Sequence, residues 1–249
     1  MQAALYNLTK LAKGVLHLHK LSLRLQTVLA LLQRTDCLAD IGSDHAFLVA
    51  TAVLQGKAKS GVAVEIHFQP WQQSQRTVRA LELHGAVDVR LGDGLEPLAA
   101  DEVQALCIAG MGGGTIRGIL KCGHDKLSQV SQMVLQPNVD AAILRSYLCE
   151  TGYSITDEAV IEEAAVFYQV MRAEKGSEST DFSPLELEYG RINLKRREPQ
   201  TMRLLTRDLA HWERVHISLS AGQHDGATQR RQWVGGRILA LEEALARGC

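Results

Sequence analysis

The feature that most constrains this chain is a regular alternation of short β-like runs with helical patterns from residue 37 to residue 173. Such alternation is typical of βαβ units, which build a parallel sheet with helices on its faces. The last two runs are separated by only four residues, too few for a crossover, so we expect them to pair antiparallel. The sequence therefore predicts an α/β fold with seven strands, at 37–41, 61–65, 87–91, 105–109, 132–135, 154–161 and 166–173, and with helices at 46–55, 68–84, from 112–114 onward and at 141–150.

The pattern changes after a segment rich in glycine, serine, threonine and proline at residues 175–184, which we interpret as a linker. Beyond it, apolar residues recur at spacings of three and four, first over 202–219 and again over 234–245. This heptad seam predicts two helices. The polar segment 220–228 contains two glycines and separates them, so we expect an antiparallel hairpin. An intermolecular coiled coil is the alternative; the intervening turn favours the hairpin and a monomer.

Charge is distributed unevenly along a chain whose formal net charge is −1. Residues 1–34 carry five basic and no acidic side chains, and residues 190–249 carry eleven basic and six acidic ones. Each end therefore has a charge of +5, which leaves −11 for the middle of the chain. The basic ends could bind a polyanion, or they could be solvated helix faces. We expect a basic helix at the N-terminus rather than a transit peptide, because no small-residue cleavage site follows an apolar core.

Composition limits the cellular setting and the chemistry. No run of 18 apolar residues occurs, so no membrane-spanning helix is expected. The five cysteines are scattered and form no C-x-x-C pair, which indicates a reducing compartment, and the nine histidines show no H-E-x-x-H spacing. We therefore expect a cytoplasmic protein with no bound metal.

Glycine and polar residues follow five of the predicted strands, at the point where each strand ends. In an open parallel sheet, ligands bind outside the carboxyl ends of the strands, so these loops should lie together. A single glycine after a strand is usually only a turn, but five such loops in register predict a ligand site. The loops are D-I-G-S-D-H-A at 40–46, Glu65, G-D-G at 92–94, A-G-M-G-G at 109–113 and Q-P-N at 136–138.

The first loop indicates the kind of ligand. Dinucleotide-binding folds use G-x-G-x-x-G, which lets the backbone approach a pyrophosphate at a helix N-terminus. Here Asp40 and Asp44 stand where a phosphate would lie. Two carboxylates disfavour NAD and favour a ligand with a cationic centre and an ammonium group, such as S-adenosylmethionine. Glu65 could accept hydrogen bonds from both ribose hydroxyls and Asp93 one from the adenine amine; alternatively, both are ordinary loop carboxylates.

Together with L-S-L-R-L at 21–25, these loops resemble the bacterial tRNA (adenine-22-N1)-methyltransferases. The strings that carry the resemblance are A-D-I-G-S-D-H-A at 39–46, R-L-G-D-G-L at 90–95, I-A-G-M-G-G at 108–113 and L-Q-P-N at 135–138. The resemblance implies a class I methyltransferase that uses S-adenosyl-L-methionine. It also implies a Rossmann-like seven-stranded methyltransferase sheet over residues 21–175 and a C-terminal α-helical coiled-coil domain over 185–249. The charge pattern predicts a basic extension at 1–20.

Two features depart from the family pattern. Residues 1–20 precede the usual family start, and the turn between the last two strands reads E-E-A-A-V at 162–166, where we expect an Asp-Gly turn. The cofactor loops are intact. The departures therefore concern how RNA docks and leave methyl transfer unaffected.

The expected reaction needs little acid–base chemistry. Methyl transfer from a sulfonium is an in-line displacement, and N1 of adenine already has a lone pair, so catalysis should be mostly positioning and electrostatics. We expect Asp44 to stabilise the cationic methylated base and accept a proton, and Asn138 to hydrogen-bond the adenine edge. His45 would orient Asp44 or the base, or would only pack at the helix start. The absence of an Asn/Asp-Pro-Pro-Tyr motif favours a ring nitrogen over the exocyclic amine.

The remaining expected site residues contact either the RNA or the cofactor. An adenine in folded tRNA must be extruded to react, which demands contacts with the RNA backbone. We expect phosphate contacts from Arg24, Arg191, Lys195, Arg196 and Arg197. Gly110–Gly112 would also form the floor under the target adenine. The expected cofactor-binding residues are Asp40, Gly42, Ser43, Glu65, Asp93, Gly94, Ala109, Gly110, Met111 and Gly112.

Other functions are also consistent with the sequence. A methyltransferase of the same fold could act on another RNA, a protein or a small molecule and use the hairpin for dimerisation. A non-catalytic RNA-binding module could retain the pocket as a relic, although acidic residues at the cofactor loops argue against it. A nicotinamide oxidoreductase is disfavoured by the first loop.

Overall fold

The computed structural model describes residues 21–176, 181–220 and 226–246. The predicted N-terminal extension at 1–20 lies outside the described residues, as does the middle of the predicted linker, 177–180. The described strands form one sheet in the order β3-β2-β1-β4-β5-β7-β6. They are β1 (Thr35–Ile41), β2 (Ala58–Glu65), β3 (Val87–Leu91), β4 (Ala105–Met111), β5 (Gln132–Pro137), β6 (Tyr153–Glu163) and β7 (Val166–Lys175).

Strands β1 to β5 are parallel, and β7 is antiparallel to both of its neighbours, β5 and β6. The chain order reverses between β1 and β4, which makes the carboxyl ends of these two strands the topological switch point of the sheet. The predicted α/β fold with seven strands is confirmed. The boundary of β4 differs from the expected one because β4 continues to Met111, where its pairing with β5 shifts register.

The helices in the described residues are α1 (Leu23–Leu31), α2 (Phe47–Leu54), α3 (Phe68–Ala80), α4 (Gly113–Cys122), α5 (Ala141–Glu150), α6 (Pro184–Tyr189), α7 (Arg191–Arg196), α8 (Pro199–Ser220) and α9 (Gly226–Ala246). Apolar residues of α1, α2 and α3 pack on one face of the sheet, and those of α4 and α5 pack on the other. Alternate residues of a strand point to opposite faces, so a strand covered on both sides is apolar throughout. In β4, Leu106 and Ile108 join one cluster while Ala105 and Cys107 join the other.

Helix α3 ends at Ala80, four residues before the predicted end at His84. Glu82 adopts a left-handed conformation with φ +57°, and the Leu83 amide turns back to donate to the Val78 carbonyl at 2.9 Å. This is a Schellman ending, which usually relies on glycine or asparagine. The predicted end was wrong because no such residue marks the turn.

Helix α1 is held at both ends. The Ser22 hydroxyl accepts a hydrogen bond from the Leu25 amide at 3.3 Å and caps the N-terminus. At the other end, Lys57 Nζ donates to the carbonyls of Leu29 and Leu32 at 2.6 and 2.8 Å. A cation on the last carbonyls also complements the helix dipole. Together these contacts fix both ends of α1, the helix that carries Arg24 towards the switch point.

The turn between β6 and β7 departs from the expected Asp-Gly sequence but keeps a tight geometry. Ala164 and Ala165 have φ +51° and +63°, so both central residues are left-handed, as in a type I′ hairpin. Alanine carries a Cβ that disfavours this region, so the turn is strained. The neighbouring Glu163 Oε1 accepts the Leu23 amide at 2.6 Å, which connects this turn to α1.

Helices α8 and α9 run antiparallel, as expected for the hairpin. Trp212 meets Trp233 edge-on with ring centroids 5.3 Å apart, while Leu205 and Leu241 share a cluster nearer the sheet. That cluster also contains Val160 of β6. The apolar stripe of the tail therefore packs partly against the sheet, and the coiled-coil character of the hairpin stays a prediction.

A buried ion pair connects the sheet to the start of the tail. Arg145 of α5 and Glu158 of β6 lie 2.7 Å apart, with side chains 0% and 1% exposed. The same guanidinium donates to the carbonyls of Leu187 and Glu188 at 2.8 and 2.9 Å. Helix α6 is thereby fixed to the sheet beside the predicted domain boundary at 175–185, and that division stays a prediction.

Candidate functional site

The loop after β1 is fixed against β2 by backbone hydrogen bonds. The amides of Gly42 and Ser43 both donate to the Val64 carbonyl, at 2.9 and 3.0 Å. Inside the loop, Ser43 Oγ donates to Asp40 Oδ2 at 2.5 Å, and Ser74 Oγ of α3 donates to the Ser43 carbonyl at 3.2 Å. Ser43 thus positions Asp40 and is itself almost completely buried.

Burial raises the pKa of Asp40 to about 6, and the nearby Glu65 carboxylate adds to the rise, while the Ser43 hydrogen bond opposes it. A carboxyl group in this state gains from a cation placed beside it, because the cation favours the ionised form. The first loop is therefore suited to a ligand with positive charge, as the sequence predicted.

Glu65 ends β2 and is only 7% exposed. Its Oε1 accepts the His67 amide at 2.9 Å, and among the described residues nothing donates to Oε2. That oxygen has room to accept ligand hydroxyls. The Gly92 amide donates to the Glu65 carbonyl at 3.0 Å, which brings the loop after β3 alongside, with Asp93 exposed on it.

Two apolar side chains border these carboxylates. Ile66 and Leu91, directly after Glu65 and at the end of β3, are 52% and 46% exposed. Exposed aliphatic groups beside a polar cleft are suited to the faces of an adenine ring. The sequence reasoning missed both, although an isoleucine directly after the predicted ribose carboxylate was a readable signal. Gly94, with φ +53°, faces Ile119 of α4 and closes this loop against the sheet.

Met111 joins the loops after β1, β4 and β5. Gly42 has φ +72°, and any side chain there would collide with the Met111 methyl group. The Met111 carbonyl accepts the Asn138 amide at 2.7 Å. The predicted cofactor loops and the predicted adenine-binding residue are therefore brought to one edge of the sheet.

A polar network centred on Gln136 fixes the Asn138 side chain. Gln136 is fully buried; its Oε1 accepts from the Gly110 amide at 3.0 Å and from Arg24 Nη1 at 2.7 Å. Its Nε2 donates to Asn138 Oδ1 at 3.2 Å, and Asn138 Nδ2 donates to the Gly110 carbonyl at 2.7 Å. The carboxamide of Asn138 therefore has a defined orientation, with one hydrogen and one lone pair left over.

Gln136 was part of a recognised string, but the sequence reasoning gave it no role. A buried amide that directly follows three apolar strand residues must be hydrogen-bonded, and that was the available signal. Arg24, expected on phosphate, instead lies within this network. It also packs 5.8 Å from the Tyr168 ring centroid, so its assignment to RNA stays a prediction.

Asp44 and His45 lie in a short 3₁₀ helix, Asp44–Ala46, at the rim of the site. His45 Nε2 lies 3.2 Å from Asp44 Oδ1, and the Asp44 side chain is 77% exposed. His45 and Ala46 have φ +63° and +57°. Two consecutive left-handed residues without glycine are strained, and such strain concentrates at functional sites. The pairing is compatible with His45 orienting Asp44, and both catalytic roles stay predictions.

The four expected RNA contacts of the tail lie far from Arg24 along the chain and have different surroundings. Arg191 pairs with Glu186 at 2.9 Å, and Arg196 with Asp157 at 2.6 Å. Arg197 donates to the carbonyls of Ala244 and Leu245 at 2.5 and 2.8 Å. Lys195 is exposed, and no ion pair involves it among the described residues. Three of the four side chains, those of Arg191, Arg196 and Arg197, therefore stabilise the fold through ion pairs or hydrogen bonds.

Two further observations concern the described part of the chain. No group of three histidine, cysteine, aspartate or glutamate side chains is placed to hold a metal ion there. Among the described helices, none combines the length and apolarity that crossing a membrane requires.

A family model described as tRNA (adenine(22)-N(1))-methyltransferase matches residues 38–243, most of the chain and all of the loops described above. The chain belongs to the tRNA (adenine(22)-N(1))-methyltransferase family. Membership confirms the expected family and the expected enzyme, a tRNA adenine-N1 methyltransferase that uses S-adenosylmethionine.

Relatives in the family agree with this assignment. The Bacillus subtilis (strain 168) tRNA (adenine(22)-N(1))-methyltransferase is 35% identical over 234 residues, which cover 92% of this chain and 98% of the relative. The crystal structure of the B. subtilis M1A22 tRNA methyltransferase superposes with a TM-score of 0.82 at 34% identity, covering 91% of this chain and 99% of that one.

Two family structures contain the cofactor or its product. A putative tRNA (m1A22) methyltransferase from Streptococcus pneumoniae, in complex with S-adenosyl-L-methionine, has a TM-score of 0.78 at 32% identity and covers 91% of this chain and 100% of that one. The M. capricolum enzyme with S-adenosyl-homocysteine has a TM-score of 0.78 at 25% identity and covers 91% and 98%. The expected cofactor is confirmed.

Proposed function

We propose that this chain methylates N1 of adenine 22 in tRNA at the switch point between β1 and β4. The observation that carries the proposal is the convergence of two systems on one sheet edge. One is the buried carboxylate pair Asp40 and Glu65, and the other is the network that orients Asn138 over Gly110. The first is suited to a cationic nucleoside and the second to the edge of a neutral base.

The carboxylate side would hold the cofactor. S-adenosylmethionine supplies a methyl group on a sulfonium centre when it is bound. Glu65 presents Oε2 to the ribose hydroxyls, Asp93 accepts from the adenine amine, and Ile66 with Leu91 covers the ring. Asp40, kept in place by Ser43, provides negative charge for the cationic part. The residues present fit this ligand because the buried Glu65 has an oxygen that no described residue occupies.

The target adenine would lie over Gly110–Gly112. Gly110 is exposed and has φ +83°, so its backbone carries no side chain of its own, and the Arg24 guanidinium lies 3.2 Å from the point where a Cβ would stand. Asn138 has one amide hydrogen and one lone pair left for the adenine edge, and Gln136 prevents the carboxamide from turning. Asn138 and Gly110 would thereby hold the adenine in one orientation, and such positioning of the attacking nitrogen is the main requirement of the displacement.

Asp44 would stabilise the positive charge that develops on the base. Methylation at N1 leaves the adenine cationic until a proton departs from its amine. Asp44 is exposed at the rim of the site and holds His45 at 3.2 Å. It stabilises the cation and accepts the proton, and His45 orients its carboxylate.

RNA binding would use the basic tail, with Lys195 the most accessible of the expected phosphate contacts and with Arg191, Arg196 and Arg197 beside it. Arg24 would act at the mouth of the site. The bacterial relative that methylates tRNA supports action in the cytoplasm. The heptad seam is used inside the chain, which supports a monomer.

The test is transfer of labelled methyl from S-adenosylmethionine to an unmodified tRNA transcript and to a transcript whose adenine 22 is guanine, followed by digestion to nucleosides. We expect label as 1-methyladenosine in the first transcript only. Equal labelling of both transcripts would contradict the assignment of adenine 22 as the methylated position. A protein that binds the cofactor but labels neither transcript would contradict the assignment of tRNA as the substrate.

A further inference from the structure

A cleft of about 940 Å³ lies between helices α6 and α7 on one side and α9 on the other, away from the cofactor loops. Its α9 wall has small residues at one-turn intervals, Gly236, Ala240 and Ala244. Apart from the neighbouring backbone of its own helix, no heavy atom of the described residues lies within 4 Å of the point where a Cβ at Gly236 would stand. The cleft is large enough for a nucleotide.

Trp233 stands at one end of this cleft and is 57% exposed. Its ring meets Trp212 edge-on at 5.3 Å, and the Arg237 guanidinium lies 5.3 Å from its centroid. These contacts hold the indole in place while more than half of its surface faces the cleft or solvent. A fixed, exposed indole is a platform on which a base of any kind can stack.

The charges that line the cleft are more positive than negative. Four cations line it, Arg191, Lys195, Arg197 and Arg237, against three acids, Glu186, Glu188 and Glu243, which gives a formal net charge of +1. Glu186 is paired with Arg191, and Glu188 with Arg237. Two other cations line the same cleft, Lys195 and Arg197, and neither forms an ion pair within the described ranges. Arg197 donates to carbonyl oxygens, which leaves its charge in place. A phosphate group is the anion that such a pair of cations suits.

A neighbouring cavity lies between the cleft and the candidate active site. This second cavity, of about 490 Å³, is lined by Asn138 and Phe167, and it shares Pro184, Glu188 and Arg237 with the cleft. Arg237 therefore stands between the residue expected to hold the target adenine and the indole of Trp233. A chain of linked nucleotides fits such a sequence of sites better than a separate small molecule does.

We infer that the cleft binds an unpaired nucleotide of the tRNA close to the target adenine, with its base stacked on Trp233 and its phosphate at Lys195 and Arg197. The inference rests on the proposed function, because it requires a tRNA whose adenine is at Asn138. It adds a specificity site in the tail, which would recognise that the neighbouring strand is unpaired before the adenine enters.

The first test compares tRNA binding and steady-state methylation for the wild type, Trp233→Ala, Trp233→Phe and Leu239→Ala. Leu239 is on the same helix, is 60% exposed and lines neither cavity, so it is the matched control. Loss of one stacked base should raise the Kd and KM for tRNA roughly 5- to 150-fold in Trp233→Ala. Trp233→Phe should stay within a few-fold of wild type, and Leu239→Ala should not change. The Kd for S-adenosylmethionine should be the same in all four.

The second test needs no substitution in the protein. Transcripts with a single 4-thiouridine next to adenine 22 are irradiated with the wild-type protein, and the cross-linked peptide is identified by mass spectrometry. We expect the peptide that contains Trp233. If Trp233→Ala does not fold, Trp233→Leu replaces it, since leucine keeps apolar volume but has no aromatic face.

Unchanged tRNA affinity in the folded alanine or leucine variant overturns the inference, as does a cross-link confined to residues outside both cavities. Altered sedimentation with unchanged tRNA affinity would assign the cleft to a second copy of the chain and likewise overturn it. If the wild type methylates adenine 22 while the Trp233 variant binds tRNA normally, only the inference about the cleft is wrong. If the wild type methylates no tRNA, the proposed function is wrong as well.

Discussion

The cofactor edge of the sheet and the C-terminal tail both carry many charged side chains, but they use them differently. At the cofactor edge, Glu65 is bonded to an amide two residues away and keeps an oxygen for a ligand. In the tail, Arg191 and Arg196 are bonded to carboxylates. Charge at the strand ends therefore indicates binding, whereas charge on the tail helices largely indicates how the tail is attached. The position of a charged residue in the fold therefore indicates its function better than the number of charged residues in a region does.

The largest expected effect tests how the tail is attached. Arg145→Met removes one partner of the fully buried pair and leaves Glu158 uncompensated, so the free energy of unfolding should fall by about 3–5 kcal/mol. Urea denaturation measures the change. Arg203→Met, which breaks the more exposed pair with Glu162, is the control and should cost about 1 kcal/mol or less. Equal losses in the two variants would contradict a special role for the buried pair.

The next prediction concerns the cofactor edge. Glu65→Gln keeps the size of the side chain but removes the charge that would accept ribose hydroxyls. The Kd for S-adenosylmethionine should rise roughly 10- to 100-fold, since hydrogen bonds to charged groups contribute about 1.5–3 kcal/mol. Isothermal titration calorimetry measures it, with the exposed Glu96→Gln as control. The affinity for tRNA should be unchanged, and a parallel loss of tRNA binding would show that the two regions are not separate.

The pH dependence of cofactor binding should follow Asp40. Its pKa is raised to about 6, so the carboxyl is mostly protonated at pH 5 and mostly ionised at pH 7. A cationic ligand prefers the ionised form, and S-adenosylmethionine affinity should therefore rise with pH through this window by up to about tenfold. Asp40→Asn should bind more weakly above pH 6 and lose most of this dependence. A wild-type affinity that is constant from pH 5 to 7 would contradict the role of Asp40.

The raised pKa of Asp40 also makes the stability of the fold depend on pH. Ionisation of Asp40 destabilises the folded state, whereas ionisation of a salt-bridged aspartate stabilises it. The folded state of this chain holds the Asp40 proton more tightly than the unfolded state does. Ionisation of Asp40 therefore lowers the free energy of unfolding as the pH rises from about 4 to 6, and bound S-adenosylmethionine should reverse this loss.

The smallest effect compares neighbouring cations on α7. Lys195→Ala should weaken tRNA binding a few-fold and reduce the slope of log K against log salt by about one, as expected for one lost phosphate contact. Arg196→Ala should also lower the thermal stability slightly, because its guanidinium bonds to Asp157 at 2.6 Å. If neither variant changes the salt slope, the assignment of this helix to RNA would be wrong.

The strands and the cofactor loops were predictable because their signals are local. Four of the five strand runs end in glycine or a carboxylate and the fifth ends in Gln-Pro-Asn, and these endings indicate both the sheet and the side on which the ligand binds. The end of α3 was not predictable, since Glu82 takes a conformation that no residue type announces. Nor were the partners of Arg196 and Arg145, because Asp157 and Glu158 approach them only after β6 has joined the sheet.

Residues of the candidate site were predictable where their position along the chain was the signal. Asp40, Glu65 and Asn138 were identified because they stand at or just after the ends of strands, and the structure brings their loops together. The dependence of Asn138 on Gln136, and of Gln136 on Arg24 from 112 residues away, required coordinates. Sequence shows which groups stand at a strand end, but their orientation is set by neighbours from distant segments.

The contact between Gly42 and Met111 has a consequence for how the family can diverge. The methyl group of Met111 fills the space that a side chain at position 42 would need. That methyl group is the flexible end of a side chain and can move aside, but the backbone at Gly42, with φ +72°, strains any other residue whatever stands at position 111. Position 42 should therefore stay glycine among active enzymes, whereas position 111 can vary over evolutionary time among residues that still fill this space.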